Sequence, residues 1–242
     1  HHLANLDPSP CAALDEQGRQ VVSNMASSDK YLKPLFNTEN VLKYLAKALE
    51  MPKSPQFINK NQYSQELESL DQLPILRYFR DDGGPYVTSS IMVVNDPKNG
   101  INLSYHRLMK ISPNRFAVRL VEGRGAHQAW LNSEKSMKVS IIIGAPLEVM
   151  LAAAFSPGMD VNEYHIAEAI GGIQLVNSPV HNLPVPADAE IIIEATVTPF
   201  THREGPFCDI TMTEDKVRNQ PIIEVDRIFA RPGFMWHAVL PG

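Results

Sequence analysis

Apolar residues recur at two spacings along the chain, and the switch between them predicts its organisation. Val41, Leu42, Leu45, Ala48 and Leu49 share one face at helical period, with Asn37-Thr38-Glu39-Asn40 supplying capping side chains ahead of them. Pro52 ends that helix, because proline lacks an amide donor and restricts the residue before it. Residues 1–36 are weakly patterned, from Asp7-Pro8-Ser9-Pro10 through Ser27-Ser28-Asp29, and predict irregular chain, frayed at its start. Residues 51–74 are polar and proline-punctuated and predict a connecting segment with a short helix.

From Pro85 the pattern becomes that of strands. Tyr86–Val94 is rich in β-branched and apolar residues, and Asn95-Asp96-Pro97-Lys98-Asn99-Gly100 is a strong turn signal. Ile101–Ile111 and, after Ser112-Pro113-Asn114, Phe116–Val121 complete a predicted three-stranded meander. Lys138–Gly144 reads as a fourth strand, and Glu190–Pro199 and Ile222–Ala230 as later ones. Between them Pro146 opens a helix through Phe155, and Asn162 caps another over Glu163–Ile170. The fold class is α+β: a small mixed α/β lead-in, then a β-rich domain with a helical insertion. No repeat of 20–50 residues and no low-complexity tract interrupts it.

Composition narrows the function classes. The 242 residues suffice for one large domain or two modest ones, with 44% apolar and 20% charged residues, as in a folded globular protein. The 19 prolines, about 8% against a norm of ~5%, favour short strands and loops. Basic residues number 22 against 27 acidic, a formal charge of −5, so no chain-wide field attracts nucleic acid. No apolar run approaches the ~20 residues of a membrane span, and the two leading histidines read as purification-tag remnants. Cys11 and Cys208 are too few for a disulfide scaffold or a four-cysteine zinc site. A cytoplasmic protein is the expectation.

Standard catalytic signatures are absent: no phosphate-binding glycine loop, no G-x-G-x-x-G after a strand, no G-x-S-x-G elbow and no H-E-x-x-H pair. What remains is a scatter of polar groups at strand ends. Alternation places Asn102 and Ser104 on one face of their strand and Tyr105 and Arg107 on the other. Asn102, His127 and Glu163 together offer the mixed N/O donors that suit Mn²⁺ or Mg²⁺ with phosphate oxygens, although they lie 25 and 36 positions apart. Arg107 with Glu204 and Asp209 admits two readings. One is a surface ion pair worth ~0–1 kcal/mol; the other is two carboxyl groups held apart in pKa by a guanidinium, one of them free to donate a proton.

Several blocks carry a resemblance. Leu73-Pro74-Ile75, Asp82-Gly83-Gly84-Pro85-Tyr86-Val87-Thr88, Asn95-Asp96-Pro97 and Asn102–Arg107 are similar to the UbiD family of prenylated-flavin-dependent decarboxylases. So are Pro184-Val185-Pro186-Ala187-Asp188-Ala189-Glu190-Ile191 and Arg203-Glu204-Gly205-Pro206-Phe207, in the family's order. The resemblance implies an α/β lead-in over 1–80 and an FMN-binding split β-barrel with a helical insertion over 81–242. It also implies that the family's C-terminal α/β domain is missing here, so that the chain is a fragment or a subunit completed by a second chain.

The same resemblance implies non-oxidative decarboxylation of an α,β-unsaturated or aromatic acid by prenylated FMN, a cofactor made by a flavin prenyltransferase. Asn102, His127 and Glu163 would ligate Mn²⁺ (or Mg²⁺) at the cofactor phosphate, with K⁺ or Na⁺ sharing Glu163. Thr88, Ser89, Ser104 and Arg107 would contact the flavin site. Arg107, Glu204 and Asp209 would form the catalytic acid–arginine–acid network, with Asp209 the proton donor. The family's E-G-P-F-G-E reads Glu204-Gly205-Pro206-Phe207-Cys208-Asp209, so a glycine is lost and the second acid is one methylene shorter. Either Asp209 still reaches the reacting carbon or its role is displaced. The ending His237-Ala238-Val239-Leu240-Pro241-Gly242 is similar to members acting on anhydromevalonate phosphate, while a prenylated hydroxybenzoate or another aryl acid stays open, and a homo-oligomer is expected. Two competitors remain: a non-catalytic flavin-holding scaffold, and an ordinary flavin oxidoreductase using unmodified FMN.

Overall fold

Strand pairing begins early in the chain. The computed structural model describes residues 11–239 apart from 16, 24, 26, 27, 60–62, 160 and 210–212. Of the stretch expected to be irregular, residues 1–10 lie outside the described residues. Within the rest, β1 (Cys11–Leu14) and β2 (Gln20–Ser23) form a hairpin, and Asp29–Leu35 is helix α1. The hairpin escapes a pattern reading because its turn is short and polar: Asp15 Oδ1 accepts the Gln17 and Arg19 amides, and Gly18 takes φ +75°. Helix α2 (Val41–Glu50) starts as its caps predict, with the Asn40 side chain accepting the Lys43 amide at 2.9 Å, and ends before Pro52. Strands β3 (Gln56–Phe57) and β4 (Gln65–Leu67) and a 3₁₀ turn at Leu70–Gln72 follow.

The expected meander is two separate hairpins. The first predicted strand divides into β5 (Tyr86–Val87) and β6 (Ile91–Asp96); the second divides at His106-Arg107 into β7 (Gly100–Tyr105) and β8 (Leu108–Ser112), ahead of β9 (Arg115–Val118). Helix α3 (Gly125–Asn132) was not anticipated, since it opens on Arg124-Gly125 with no capping side chain. Next come β10 (Met137–Ile143), α4 (Leu147–Ala154), α5 (Glu163–Gly171), β11 (Gln174–Asn177) and β12 (Pro184–Pro186). The chain closes with β13 (Ile191–Glu204), β14 (Phe207–Cys208), β15 (Glu214–Asp215), β16 (Arg218–Ala230) and β17 (Trp236–His237).

The principal sheet runs β5-β8-β9-β16-β13-β10-β6-β7, with β4 added beside β16. Strands β7 and β8 lie toward opposite ends of this path, yet only His106 and Arg107 join them. Three Cα steps reach at most about 11 Å, so the sheet curls until its ends meet. Among the described residues no ladder joins β7 to β8 or β5.

Side-chain alternation then divides one run of apolar residues between two cores. Val139, Ile141, Ile143, Ile191, Ile193 and Val197 pack inside the curl, while Ile142, Ile192, Ile91 and Val93 pack outward with α2, α4 and α5. The lead-in is stitched into these sheets: β1 and β2 join β17, β3 joins β11, and β4 joins β16, so three pairings cross the expected division at residue 80.

Strand β13 outruns its prediction by five residues, to Glu204. Its pairing with β16 shifts between Val197 and Thr201, around Pro199, which has no amide to give. Beyond that irregularity the strand is exposed until Glu204, which is fully buried. That bend carries the carboxylate to the seam of the curl.

Candidate active site

The seam borders a cleft of about 760 Å³ whose walls include Thr88, Asn102, Ser104, His106, Arg107, Arg119, Gly125, Glu163, Phe207 and Asp209. Two clusters of polar side chains lie along it.

The first forms where β7 meets α5. Glu163 opens that helix, its first turn capped by the Asn162 side chain, which accepts the Tyr164 amide at 3.0 Å. The Glu163 carboxylate takes the Leu103 amide at 2.8 Å and the Asn102 Nδ2 at 2.9 Å. It is 2% exposed, and burial, only partly offset by these donors, pushes its pKa up to about 7. Asn102 Oδ1, turned the other way, is buried without a hydrogen-bond partner. Gly125 at the start of α3 presses against it, where a Cβ would sit 3.0 Å from that oxygen. A lone oxygen, a carboxyl reluctant to ionise and a glycine-lined approach fit a hard divalent cation, which would satisfy the oxygen and hold Glu163 charged.

His127 lies in the first turn of α3, but its Nδ1 accepts the Gly123 amide at 3.4 Å and its ring faces Trp130, 6.1 Å between centroids. Among the described residues it makes no hydrogen bond with Asn102 or Glu163, so the structure brings two of the three expected ligands into contact and leaves the third on the adjacent turn.

The second cluster centres on Arg107. Its Nε and Nη2 donate to the two Glu204 oxygens at 2.9 and 3.0 Å, a bidentate pair, and Nη2 also reaches Asp215 Oδ2 at 2.7 Å. Tyr86 donates its hydroxyl to Glu204 at 3.1 Å, and the guanidinium carbon lies 4.6 Å from the centroid of Phe207. Burial pushes the Asp215 carboxyl up, but Arg218 and Arg107 outweigh it and hold the group at about 2. Asp209 is exposed at the cleft wall. The second carboxylate on Arg107 is therefore Asp215, eleven positions beyond Glu204, in a strand of two residues with no pattern to mark it.

The remaining expected contacts divide. Thr88 lines the cleft, bonded to the Tyr78 hydroxyl at 2.8 Å and accepting the Val239 amide at 3.1 Å. Ser89 is buried and donates to the His237 carbonyl, away from the cleft walls. Ser104 lines the cleft, its hydroxyl 2.9 Å from His106 Nε2. Sequence reasoning gave no role to His106, Arg119, Tyr86 or Asp215, although Tyr86 and His106 fall inside motif blocks.

Known proteins resemble the chain over most of its length. The UbiD model, described as the 3-octaprenyl-4-hydroxybenzoate carboxy-lyase Rift-related domain, matches residues 50–242. An anhydromevalonate phosphate decarboxylase of Methanocaldococcus jannaschii is 34% identical, over 99% of this chain and 59% of its own length. A second of that name, from Methanothermobacter thermautotrophicus, is 37% identical over 74% of this chain and 44% of its own. An evolved dimeric form of the UbiD-class enzyme HmfF from Pelotomaculum thermopropionicum, in complex with prFMN, superposes with a TM-score of 0.87 at 26% identity, covering 93% of this chain and 56% of that one. The chain thus spans about half the length of the proteins it matches. No helix among the described residues is long and apolar enough to cross a membrane. With a family model matched over most of its residues, the chain belongs to the UbiD family.

Proposed function

We propose that this chain forms the cofactor-holding part of a non-oxidative decarboxylase of an α,β-unsaturated or aromatic acid, using prenylated FMN with Mn²⁺ (or Mg²⁺) and K⁺ or Na⁺. Anhydromevalonate phosphate is the favoured acid, because relatives at 34% and 37% identity carry that name. One observation carries the reading: a single cleft joins the Asn102–Glu163 pair, with its unpartnered Oδ1, to Arg107, which the buried Glu204 holds from behind the wall. We read the curled sheet as the split barrel of such enzymes.

The side chains divide the work. Asn102 and Glu163, with His127 from the adjacent turn, would hold the cation at the cofactor phosphate, and Thr88 and Ser104 would face the cofactor. The prenylated flavin, when bound, supplies the electron sink for loss of carbon dioxide. Arg107, fixed by Glu204 and Asp215, orients the acid's carboxylate. Decarboxylation exchanges CO₂ for one proton. Asp215, with its two oxygens engaged by Arg107 and Arg218, serves as a countercharge rather than a donor. Asp209, on the cleft wall, delivers the proton and recovers it from solvent.

The test is CO₂ release from anhydromevalonate phosphate and from aryl acids after reconstitution with prenylated FMN and Mn²⁺. Turnover of one acid supports the reading, and mass spectrometry of the retained flavin separates prenylated from ordinary FMN. A second reading, a non-catalytic flavin-holding scaffold that needs another chain, is separated by the same assay. It predicts cofactor binding with no CO₂ until that chain, or a second copy in a homo-oligomer, is supplied. The prenyltransferase enters as the source of the cofactor.

A further inference from the structure

His106 stands at the seam with every polar atom engaged. Its amide donates to the Ser90 carbonyl at 3.1 Å, and its own carbonyl accepts the Ser90 hydroxyl. Ring atom Nδ1 lies 3.1 Å from the Arg119 carbonyl, and Nε2 lies 2.9 Å from Ser104 Oγ. A carbonyl only accepts, so Nδ1 must carry the hydrogen. Burial pushes the imidazole pKa down, which keeps the ring neutral and leaves Nε2 as a lone pair. The Ser104 hydroxyl has then one direction to donate, toward His106, and its oxygen meets the cleft with lone pairs alone.

We propose that Ser104 is an obligate hydrogen-bond acceptor for a hydroxyl of the bound ligand, and that His106 is the positioning residue enforcing that polarity. The inference rests on the reading of the cleft as a flavin site. Ser104 follows Asn102 by two residues on the same face of β7, a rise of about 6.5 Å. Were the cofactor phosphate held near Asn102, that distance would set the acceptor beside the ribityl chain, whose hydroxyls can donate.

A double-mutant cycle tests it, with FMN itself as probe, titrated by fluorescence quenching in Mn²⁺ against the unaltered chain, Ser104→Ala, His106→Phe and the double variant. Each single change is expected to weaken FMN about three- to tenfold, the worth of one hydrogen bond, and the double change no further, because both act through the same contact. His106→Gln, which retains one donor and one acceptor, should recover part of the loss. Thermal melting of the same four variants guards against loss of fold: where His106→Phe does not melt cooperatively, His106→Ala takes its place in the cycle. Unchanged affinity in Ser104→Ala, or additive losses in the double variant, overturns the proposal while the flavin reading stands. Failure of the unaltered chain to bind FMN overturns both.

Discussion

Among the described residues Arg107 is the one cation that touches both Glu204 oxygens, and Arg107→Ala removes it. Glu204 has no solvent exposure and would retain only the Tyr86 hydroxyl at 3.1 Å among the side-chain donors described, so its charge is left buried with a single weak partner. Removing one member of such a pair costs about 3–5 kcal/mol, far above the ~0–1 kcal/mol of a surface pair. For a chain of this size each kcal/mol moves the melting temperature about 2–4 °C, so a fall of roughly 6–20 °C is expected. The assay is thermal unfolding of the parent, Arg107→Ala and Arg107→Ala with Glu204→Gln. Neutralising the stranded carboxylate should restore at least half the loss. Below the variant's melting point FMN affinity should stay within about threefold of the parent, because Arg107 lies at the other cluster, while CO₂ release is abolished. A melting temperature within about 2 °C of the parent would refute the buried-pair reasoning, and near-normal turnover would remove Arg107 from the mechanism.

Three further outcomes follow from single contacts. His237 is buried with Nδ1 unpartnered, and burial pushes its pKa from 6.5 to about 4; the unfolded chain therefore binds the proton first, and stability is complete above pH 6.5 and lost as pH falls toward 4. That loss is about 3 kcal/mol, and urea unfolding across the window should show His237→Phe losing less than the parent by about that amount. Gly125→Ala should leave the melting temperature near the parent's, since alanine's helix preference, at most about 0.5–1 kcal/mol at this first helical position, works against the crowding of Asn102 Oδ1 by its Cβ at 3.0 Å, yet weaken Mn²⁺-supported FMN binding through that crowding; unchanged FMN affinity would remove that oxygen from the site. Asp209→Asn should cut CO₂ release about 10²-fold or more, whereas Asp215→Asn should slow it less; the reverse order in single-turnover assays would give the proton to Asp215.

How far the chain could be read beforehand depends on where each signal sits. Asn40 and Asn162 announce their helices because a capping side chain and its amide lie within four residues of each other. The long strands of the curl carry unbroken β-branched runs, since both of their faces are buried, and Ile191–Ile193 was legible for that reason. The break at His106-Arg107 was not, because Ile101–Ile111 keeps strand-like composition straight through it. What divides it is the sheet's need to curl, a property of strands 80 to 120 residues further on. The site shows the same division. Asn102, Arg107 and Glu204 stand in recognisable blocks, and the structure joins them into pairs. Asp215 comes to Arg107 through β15 and its pairing with β14, which no local pattern encodes.

The cleft lies where it does because the curl stops short of a closed ladder. Among the described residues β7 pairs only with β6, so its other edge needs partners from elsewhere. Glu163 supplies one: its carboxylate accepts the Leu103 amide, a bond a neighbouring strand would otherwise make. His106 supplies another, spanning from Ser104 on β7 to the Arg119 carbonyl just past β9 with its imidazole in place of backbone. Side chains that bridge a gap leave room that a ladder would fill, and here that room is the cleft. The groups that finish the fold at the seam are thus ones that line the cleft, so substitutions at Glu163 or His106 should move stability and cofactor affinity together, whereas Gly125→Ala, which touches the seam without holding it, should separate them.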